Sequence, residues 1–179
     1  MGLHMVRRAL IVIAQVGYQD KEFAGARDGL TDGGFEVVIA SKEEGSCRGK
    51  LGGTVTAIVA LRGVRVEDYD RIAFIGGPGA AALASDSDAL RIARETVAAK
   101  KPLGAICIAP TILAAAGVLR GKRATVWNGD GRQATELEHA GATYTGDGVM
   151  VDGLIVTASG PPVAEEFGKT LSALSDQNH

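Results

Sequence analysis

The chain has 179 residues, 46% of them hydrophobic, and its 19 Lys and Arg against 21 Asp and Glu leave a net charge of −2. A chain of this length forms one domain of ordinary size with a full core, which argues against a disordered protein. The balanced charge excludes the basic surface of a nucleic-acid-binding protein, and no apolar run reaches the ~20 residues of a membrane-spanning helix.

The N-terminal segment, residues 1–5, is short and polar and lacks a secretory pattern. We interpret it as a cloning remnant ahead of a native start at Met5, followed by a single domain over residues 6–175 and a tail over 176–179. The two cysteines, Cys47 and Cys107, do not form a disulfide framework. They are typical of free thiols in a reducing, cytoplasmic compartment.

The first half of the domain opens with a strand–helix–strand unit. Residues 9–14 form a continuous apolar run, which predicts a strand covered on both faces. A helix is predicted over residues 20–32, closed by Gly33 and Gly34, and a second strand over 35–40. Such a unit predicts parallel pairing with a right-handed crossover. The glycine-punctuated stretch 41–70 predicts an edge hairpin around residues 54–56.

The second half continues the alternation of strands and helices. Strands are predicted at residues 71–75, 102–106 and 123–126, the last continuing the same sheet, with a hairpin at 149–157 and helices at 86–100, 109–116, 131–140 and 162–174. The pattern predicts an α/β fold of the flavodoxin-like, doubly wound type. Its mostly parallel sheet has helices on both faces and a small edge β-hairpin, and sites lie at the carboxyl ends of the strands.

Cys107 lies where a buried strand is predicted to turn into a helix. Ala105 and Ala109 stand two residues on either side, as the tight turn of a nucleophile elbow requires. We expect the helix N-terminus to lower the thiol pKa and the Ile108 N–H to face a developing oxyanion. A second N–H is expected from Gly77, within a glycine-rich run that follows the neighbouring strand. The alternative is a core cysteine buried for packing.

The elbow and the segments around it resemble the PfpI-like superfamily, and within it the branch that contains the parkinsonism-associated protein deglycase. The resemblance extends from about Arg7 to Leu174. It rests on residues 104–110 with 112–113 and 116–122, on 9–14 with 17–23, on 74–79, and on 152–157 with 160–161 and 166–167.

The resemblance implies a glutamate partner for the cysteine, which by position is Glu22. The sequence also departs from the family pattern at two positions. Ile108 replaces the histidine that follows the cysteine in protease-like members, and Trp127, followed by Asn128, stands where the deglycase branch usually has a histidine. An indole offers one N–H donor and no proton shuttle at neutral pH, so Trp127 and Asn128 are interpreted as accessory residues.

Two further features complete the candidate residues. Cys47 and Arg48 fall on the predicted edge hairpin, in a region that the resemblance associates with dimer contacts. Cys47 is therefore an interface or redox-active thiol, or else a packing cysteine. His139 is predicted on a solvated helix face, and no metal-ligand spacing or cofactor-binding motif is present.

The resemblance implies a cysteine-dependent stress-response protein that acts on small reactive carbonyls, as a glyoxalase or deglycase does, and forms a homodimer. The alternative is a non-enzymatic oxidative-stress sensor or chaperone in which Cys107 oxidises to sulfinic acid. A peptidase or amidase ranks below both, because Ile108 replaces the expected histidine.

Overall fold

The computed structural model describes residues 5–175, so residues 1–4 of the predicted cloning remnant and the predicted tail 176–179 lie outside the described residues. The strands are β1 Arg8–Val12, β2 Val16–Tyr18, β3 Glu36–Ser41, β4 Gly45–Gly49, β5 Thr54–Ala57, β6 Val59–Ala60, β7 Arg71–Phe74, β8 Leu103–Ile106, β9 Arg123–Ala124, β10 Thr143–Tyr144, β11 Val149–Asp152 and β12 Ile155–Ala158. The α-helices are α1 Asp20–Asp32, α2 Ser87–Ala98, α3 Pro110–Ala115, α4 Arg132–His139 and α5 Ala164–Ala173, and 3₁₀ helices cover Leu61–Gly63, Val66–Asp68, Pro78–Ser85 and Pro161–Val163.

The central sheet has the strand order β11-β12-β8-β7-β1-β3-β6 within the described chain. Neighbours pair in parallel, except for β11, which pairs antiparallel with β12 at one edge. The strands β3, β1, β7, β8 and β12 follow the 2-1-3-4-5 order of flavodoxin-like proteins, so the predicted fold class is confirmed. The carboxyl ends of β7 and β8 therefore lie side by side.

Both faces of the sheet are buried, which explains the continuous apolar run of β1. Leu10 and Val12 face a core shared with α2, α3 and α4. Ala9 and Ile11 face the opposite core, which contains α1 and α5. In the part of the chain that is described, no helix is long and apolar enough to cross a bilayer.

Helix α1 has well-defined ends and is held tightly against α5. The Gln19 side chain accepts the Lys21 N–H at 2.7 Å and caps the start of the helix. A Cβ on Gly25 would lie 2.5 Å from the Ala164 carbonyl carbon, and one on Gly29 would lie 2.4 Å from that of Gly168. The two backbones are therefore in direct contact, and this contact fixes the first turn of α1 relative to the sheet.

Two predicted elements join small sheets of their own. The edge hairpin is present as β4 and β5, and β4 also pairs with β2 in a three-stranded sheet. The prediction that residues 123–126 continue the main sheet is wrong. Only β9 forms there, and it pairs with β10. The position beside β12 is already taken by β11, and the Thr125 N–H instead donates to the Thr157 hydroxyl oxygen at 2.9 Å.

Candidate active site

Cys107 follows β8 directly and adopts a left-handed conformation with φ of 64°. Side-chain-bearing residues are rarely found there, and the strain typically costs about 1–3 kcal/mol. The backbone on both sides holds it in place, because the Cys107 N–H donates to Ala158 O at 2.8 Å and its carbonyl accepts the Trp127 N–H at 2.9 Å. The thiol is half-buried at the carboxyl end of the strand.

Glu22 lies in the first turn of α1 and is completely buried. The Gly76 N–H donates to its Oε1 at 3.0 Å, and the carboxyl group interacts with the Cys107 thiol. Oε2 is buried and has no hydrogen-bond partner among the described residues. The structure therefore brings together the cysteine and the glutamate that the resemblance pairs.

Gly76 allows this meeting because it has no side chain. A Cβ at this position would lie 2.7 Å from Cys107 Cβ and 2.8 Å from Glu22 Oε1. Both distances are shorter than real Cβ contacts, so any other residue would push the carboxyl group and the thiol apart.

Two backbone N–H groups, those of Ile108 and Gly77, donate to the sulfur. Gly77 has φ of 107°, and a Cβ there would lie 2.3 Å from Gly17 O. Only glycine satisfies both constraints. These donors stabilise negative charge on the sulfur, and they are placed to face an oxyanion formed on an adduct of the thiol.

Burial dominates the ionisation of the pair. It raises the pKa of Glu22 from 4.5 to about 7, against the opposing effects of the Cys107 and Gly76 hydrogen bonds and the Lys50 charge. It raises the pKa of Cys107 from 9.0 to about 12, and the negative charge of Glu22 adds to the rise while the Ile108 and Gly77 N–H groups oppose it. The predicted lowering of the thiol pKa is therefore wrong, because α3 begins only at Pro110 and burial outweighs the nearby donors.

The two groups titrate as a pair. The carboxyl group loses its proton near pH 7, and above that pH the remaining proton lies on the sulfur, because the pKa of Cys107 is the higher of the two. When the proton lies on Glu22, its charge no longer opposes the thiolate and its O–H donates to the sulfur. Transfer of the thiol proton to the Glu22 carboxylate would produce this thiolate.

The sulfur opens into a cavity of about 260 Å³ lined by Gln19, Lys50, Gly77, Pro78, Cys107, Ile108, Trp127 and Pro161. The Trp127 side chain is 41% exposed, and its ring occupies the space that a side chain on Gly129 would need. Lys50 was missed by sequence reasoning, because it lies on the distant β4–β5 turn. In the sequence, the glycines around Lys50 indicate a turn but do not indicate that the turn reaches the cavity.

The remaining candidate residues lie away from the sulfur. Asn128 caps α4, accepting the Ala134 N–H at 3.0 Å. Cys47 is fully buried on β4, and the neighbouring Arg48 is exposed. His139 is exposed on α4, as predicted. Over residues 5–175, no group of three His, Cys, Asp or Glu side chains comes together in a way that could hold a metal ion.

The chain is similar in sequence to several known proteins. A model of the DJ-1/PfpI family matches residues 7–174. An uncharacterised protein of Methanocaldococcus jannaschii is 34% identical over 96% of this chain and 84% of its own length. A deglycase of Pyrococcus horikoshii is 33% identical, over 80% and 85% respectively. A glutathione-independent glyoxalase of Caenorhabditis elegans is 29% identical, over 90% and 84%.

The chain is also similar to solved structures. The crystal structure of Drosophila melanogaster DJ-1β superimposes with a TM-score of 0.83 at 28% identity, covering 94% of this chain and 89% of the other. The matched region includes both β7 and β8 and the helix that carries Glu22. The chain belongs to the DJ-1/PfpI family.

Proposed function

We propose that the protein is a cysteine-dependent enzyme that acts on small reactive carbonyls through Cys107. The observation that carries the proposal is the buried Glu22 carboxyl group held against the thiol, beneath a pocket, with the Ile108 and Gly77 N–H groups directed at the sulfur. A proton acceptor, a nucleophile and two oxyanion donors thus meet at one point. Family members named deglycase and glyoxalase support the same chemistry.

The chemistry with a 2-oxoaldehyde balances without an external oxidant. The thiolate adds to the aldehyde carbon, and the oxyanion takes the proton from Glu22 to give a hemithioacetal. The Glu22 carboxylate then removes the C–H proton, and reprotonation at the adjacent carbon gives a 2-hydroxyacyl thioester. Water hydrolyses the thioester to a 2-hydroxy acid and releases the thiolate. The aldehyde carbon is oxidised while the neighbouring ketone is reduced.

Lactate formation from methylglyoxal tests the proposal. We expect activity in the wild type, none above background in Cys107→Ser, and wild-type activity in the matched Cys47→Ser variant. Equal rates in wild type and Cys107→Ser, or no wild-type rate above background, would contradict it.

A second candidate is peroxide sensing, and the donors around the sulfur favour it because they can also hold the oxygens of a sulfinic acid. One peroxide oxidises the thiolate to sulfenic acid and a second gives sulfinic acid, each leaving as water. Intact mass after mild peroxide treatment is expected to show two added oxygens that are absent in Cys107→Ser. Oxidation of Cys47 with Cys107 still reduced would exclude this function.

Peptidase activity receives no such support. Ile108 and Trp127 occupy the two positions where related proteins have a histidine that could act as a base. Neither side chain accepts a proton at neutral pH. A casein or peptide-amide assay is therefore expected to give only background rates. The homodimer stays a prediction from the resemblance, and the cytoplasmic location stays a prediction from the two free cysteines.

A further inference from the structure

The candidate pocket contains one cationic side chain, that of Lys50. Among the residues that line the cavity with Cys107, it is the single charged group in the described chain. It is exposed and forms no salt bridge with any residue between 5 and 175. Its charge nevertheless acts on the site, since it lowers the pKa of Glu22.

The turn that carries Lys50 is fixed by Asp20 at the start of α1. The Asp20 carboxylate accepts the Leu51 N–H at 2.7 Å and the Gly53 N–H at 2.8 Å. The Lys50 N–H donates to Tyr18 O at 2.8 Å. Side chains on Gly49 or Gly53 would lie 2.2 and 2.5 Å from Asp20 Oδ1. The backbone of Lys50 is therefore held in one position beside the pocket.

We propose that Lys50 is a specificity residue that selects 2-oxoaldehyde substrates whose keto carbon carries a group with a carboxylate or phosphate. The inference rests on the proposed function and names its substrate class. An aldehyde carbon at the Cys107 sulfur leaves the attached group in the cavity, where Lys50 supplies the positive charge. The ionised Glu22 beneath the sulfur would otherwise repel an anion, so a cation at the pocket wall is needed for such a substrate to bind.

Alkylation of Cys107 tests anion selection without requiring turnover. Iodoacetate and iodoacetamide react in the same way, the thiolate forming the S–C bond as iodide leaves, but only iodoacetate carries a carboxylate. The measured quantity is the ratio of their rate constants. We expect Lys50→Gln to lower this ratio about fivefold at low ionic strength. Lys50→Arg should retain it, and added salt should reduce it in the wild type but not in Lys50→Gln.

Lys21→Gln is the matched control. Lys21 is an exposed lysine on the first turn of α1, and it lines a different cavity with Ala24 and Asp28. The charge change is the same, so a similar fall in the ratio for both variants would overturn the inference, because it would show a general surface effect. An unchanged ratio in Lys50→Gln would overturn it as well.

Aldehydes that bind Cys107 reversibly allow the two anionic groups, carboxylate and phosphate, to be tested one at a time. Glyoxylate and glycolaldehyde phosphate should protect Cys107 from iodoacetamide at lower concentrations than glycolaldehyde in the wild type, and this preference should be lost in Lys50→Gln. Equal protection by all three would contradict the inference. Methylglyoxal is neutral, so absence of lactate formation overturns the proposed function alone, and a Lys50-independent ratio overturns the anion selection alone.

Discussion

Cys47 lies in the middle of β4 and Cys107 directly after β8, and the two cysteines differ in burial, hydrogen-bond partners and backbone conformation. Cys47 is fully buried in β4, where its thiol faces Gly45 O at 3.7 Å and the neutral Gln15 amide at 3.4 Å. Cys107 is half-buried on a strained turn, with two N–H donors and a carboxyl group hydrogen-bonded to its thiol. The comparison shows that backbone geometry and a proton acceptor, rather than the residue type, make a thiol a candidate nucleophile.

The surroundings of Cys47 are also locked in place. The Gln15 side chain donates to Ser46 O at 3.1 Å and accepts the Glu43 N–H at 3.0 Å. The amide therefore has its own partners and holds the hairpin against the loop after β1. Of the interpretations left open for Cys47, packing is the one that its complete burial favours.

The largest expected effect is the difference in alkylation rate between the two thiols. In the folded protein at pH 8, we expect iodoacetamide to label Cys107 at least about 100-fold faster than Cys47, because Cys47 reacts only after local opening of the hairpin. Peptide mapping by mass spectrometry measures both sites. Cys47→Ser should leave Cys107 labelling unchanged, and comparable rates at the two sites would remove the distinction.

The next effect is on stability. The pKa of Glu22 is raised from 4.5 to about 7, so its contribution to folding is fully present below pH 4.5 and is lost as pH rises through 7. The loss amounts to about 3 kcal/mol once the carboxyl group ionises. Glu22→Gln keeps an acceptor for Gly76 without the charge. We therefore expect it to be more stable than wild type by up to about 3 kcal/mol at pH 8, with little of this gain at pH 4.5.

Urea denaturation at the two pH values measures the effect. The control is Glu138→Gln, at an exposed position on α4, which should change stability by less than about 0.5 kcal/mol at either pH. A Glu22→Gln variant that is less stable than wild type at pH 8 would show that the carboxylate is favourable in the fold.

A smaller effect is expected on the pH profile of Cys107 alkylation. In the wild type, the rate should rise through about pH 7 as the Glu22–Cys107 pair loses its first proton. In Glu22→Gln the thiol titrates alone, so the midpoint should move by about 1 pH unit or more, which is roughly a tenfold change in rate at a fixed pH near the midpoint. Superimposable profiles would mean that the two groups do not share a proton.

The smallest effect concerns Asp20, which joins the two regions. Asp20→Ala removes the acceptor for Leu51 and Gly53 and frees the turn that carries Lys50. We expect the iodoacetate-to-iodoacetamide rate ratio to fall about twofold, less than in Lys50→Gln because the charge itself remains. Unfolding free energy should fall by about 1 kcal/mol. A loss of stability with an unchanged ratio would make Asp20 purely structural.

Much of the fold could be predicted from the sequence because its signals are local. The bounds of α1 follow from Asp20 and the glycine pair after Asp32, and they are confirmed at both ends. Strand β9 could not be placed correctly, because its neighbour depends on β11 occupying the edge of β12, a contact between distant segments.

The candidate site also has features that the local sequence predicts and features that depend on tertiary contacts. The elbow at Cys107 has a local pattern, and the resemblance supplied Glu22. The thiol pKa could not be predicted, because it depends on how deeply α1 buries its first turn. Lys50 was equally inaccessible to sequence reasoning, since only tertiary pairing of β2 with β4 carries that turn to the cavity.

The direct backbone contact between α1 and α5 limits how this pocket can change. Glu22 lies in the first turn of one of these helices, and the Pro161–Val163 turn leads into the other. Because Gly25, Gly29 and Gly168 let the two helix backbones touch, separating the two walls to admit a bulkier molecule would cost the packing between the helices. Enlargement has to come from the opposite side, where Trp127 packs over Gly129. Laboratory evolution toward larger aldehydes is therefore expected to accumulate substitutions at Trp127 and to leave the glycines of the helix pair untouched.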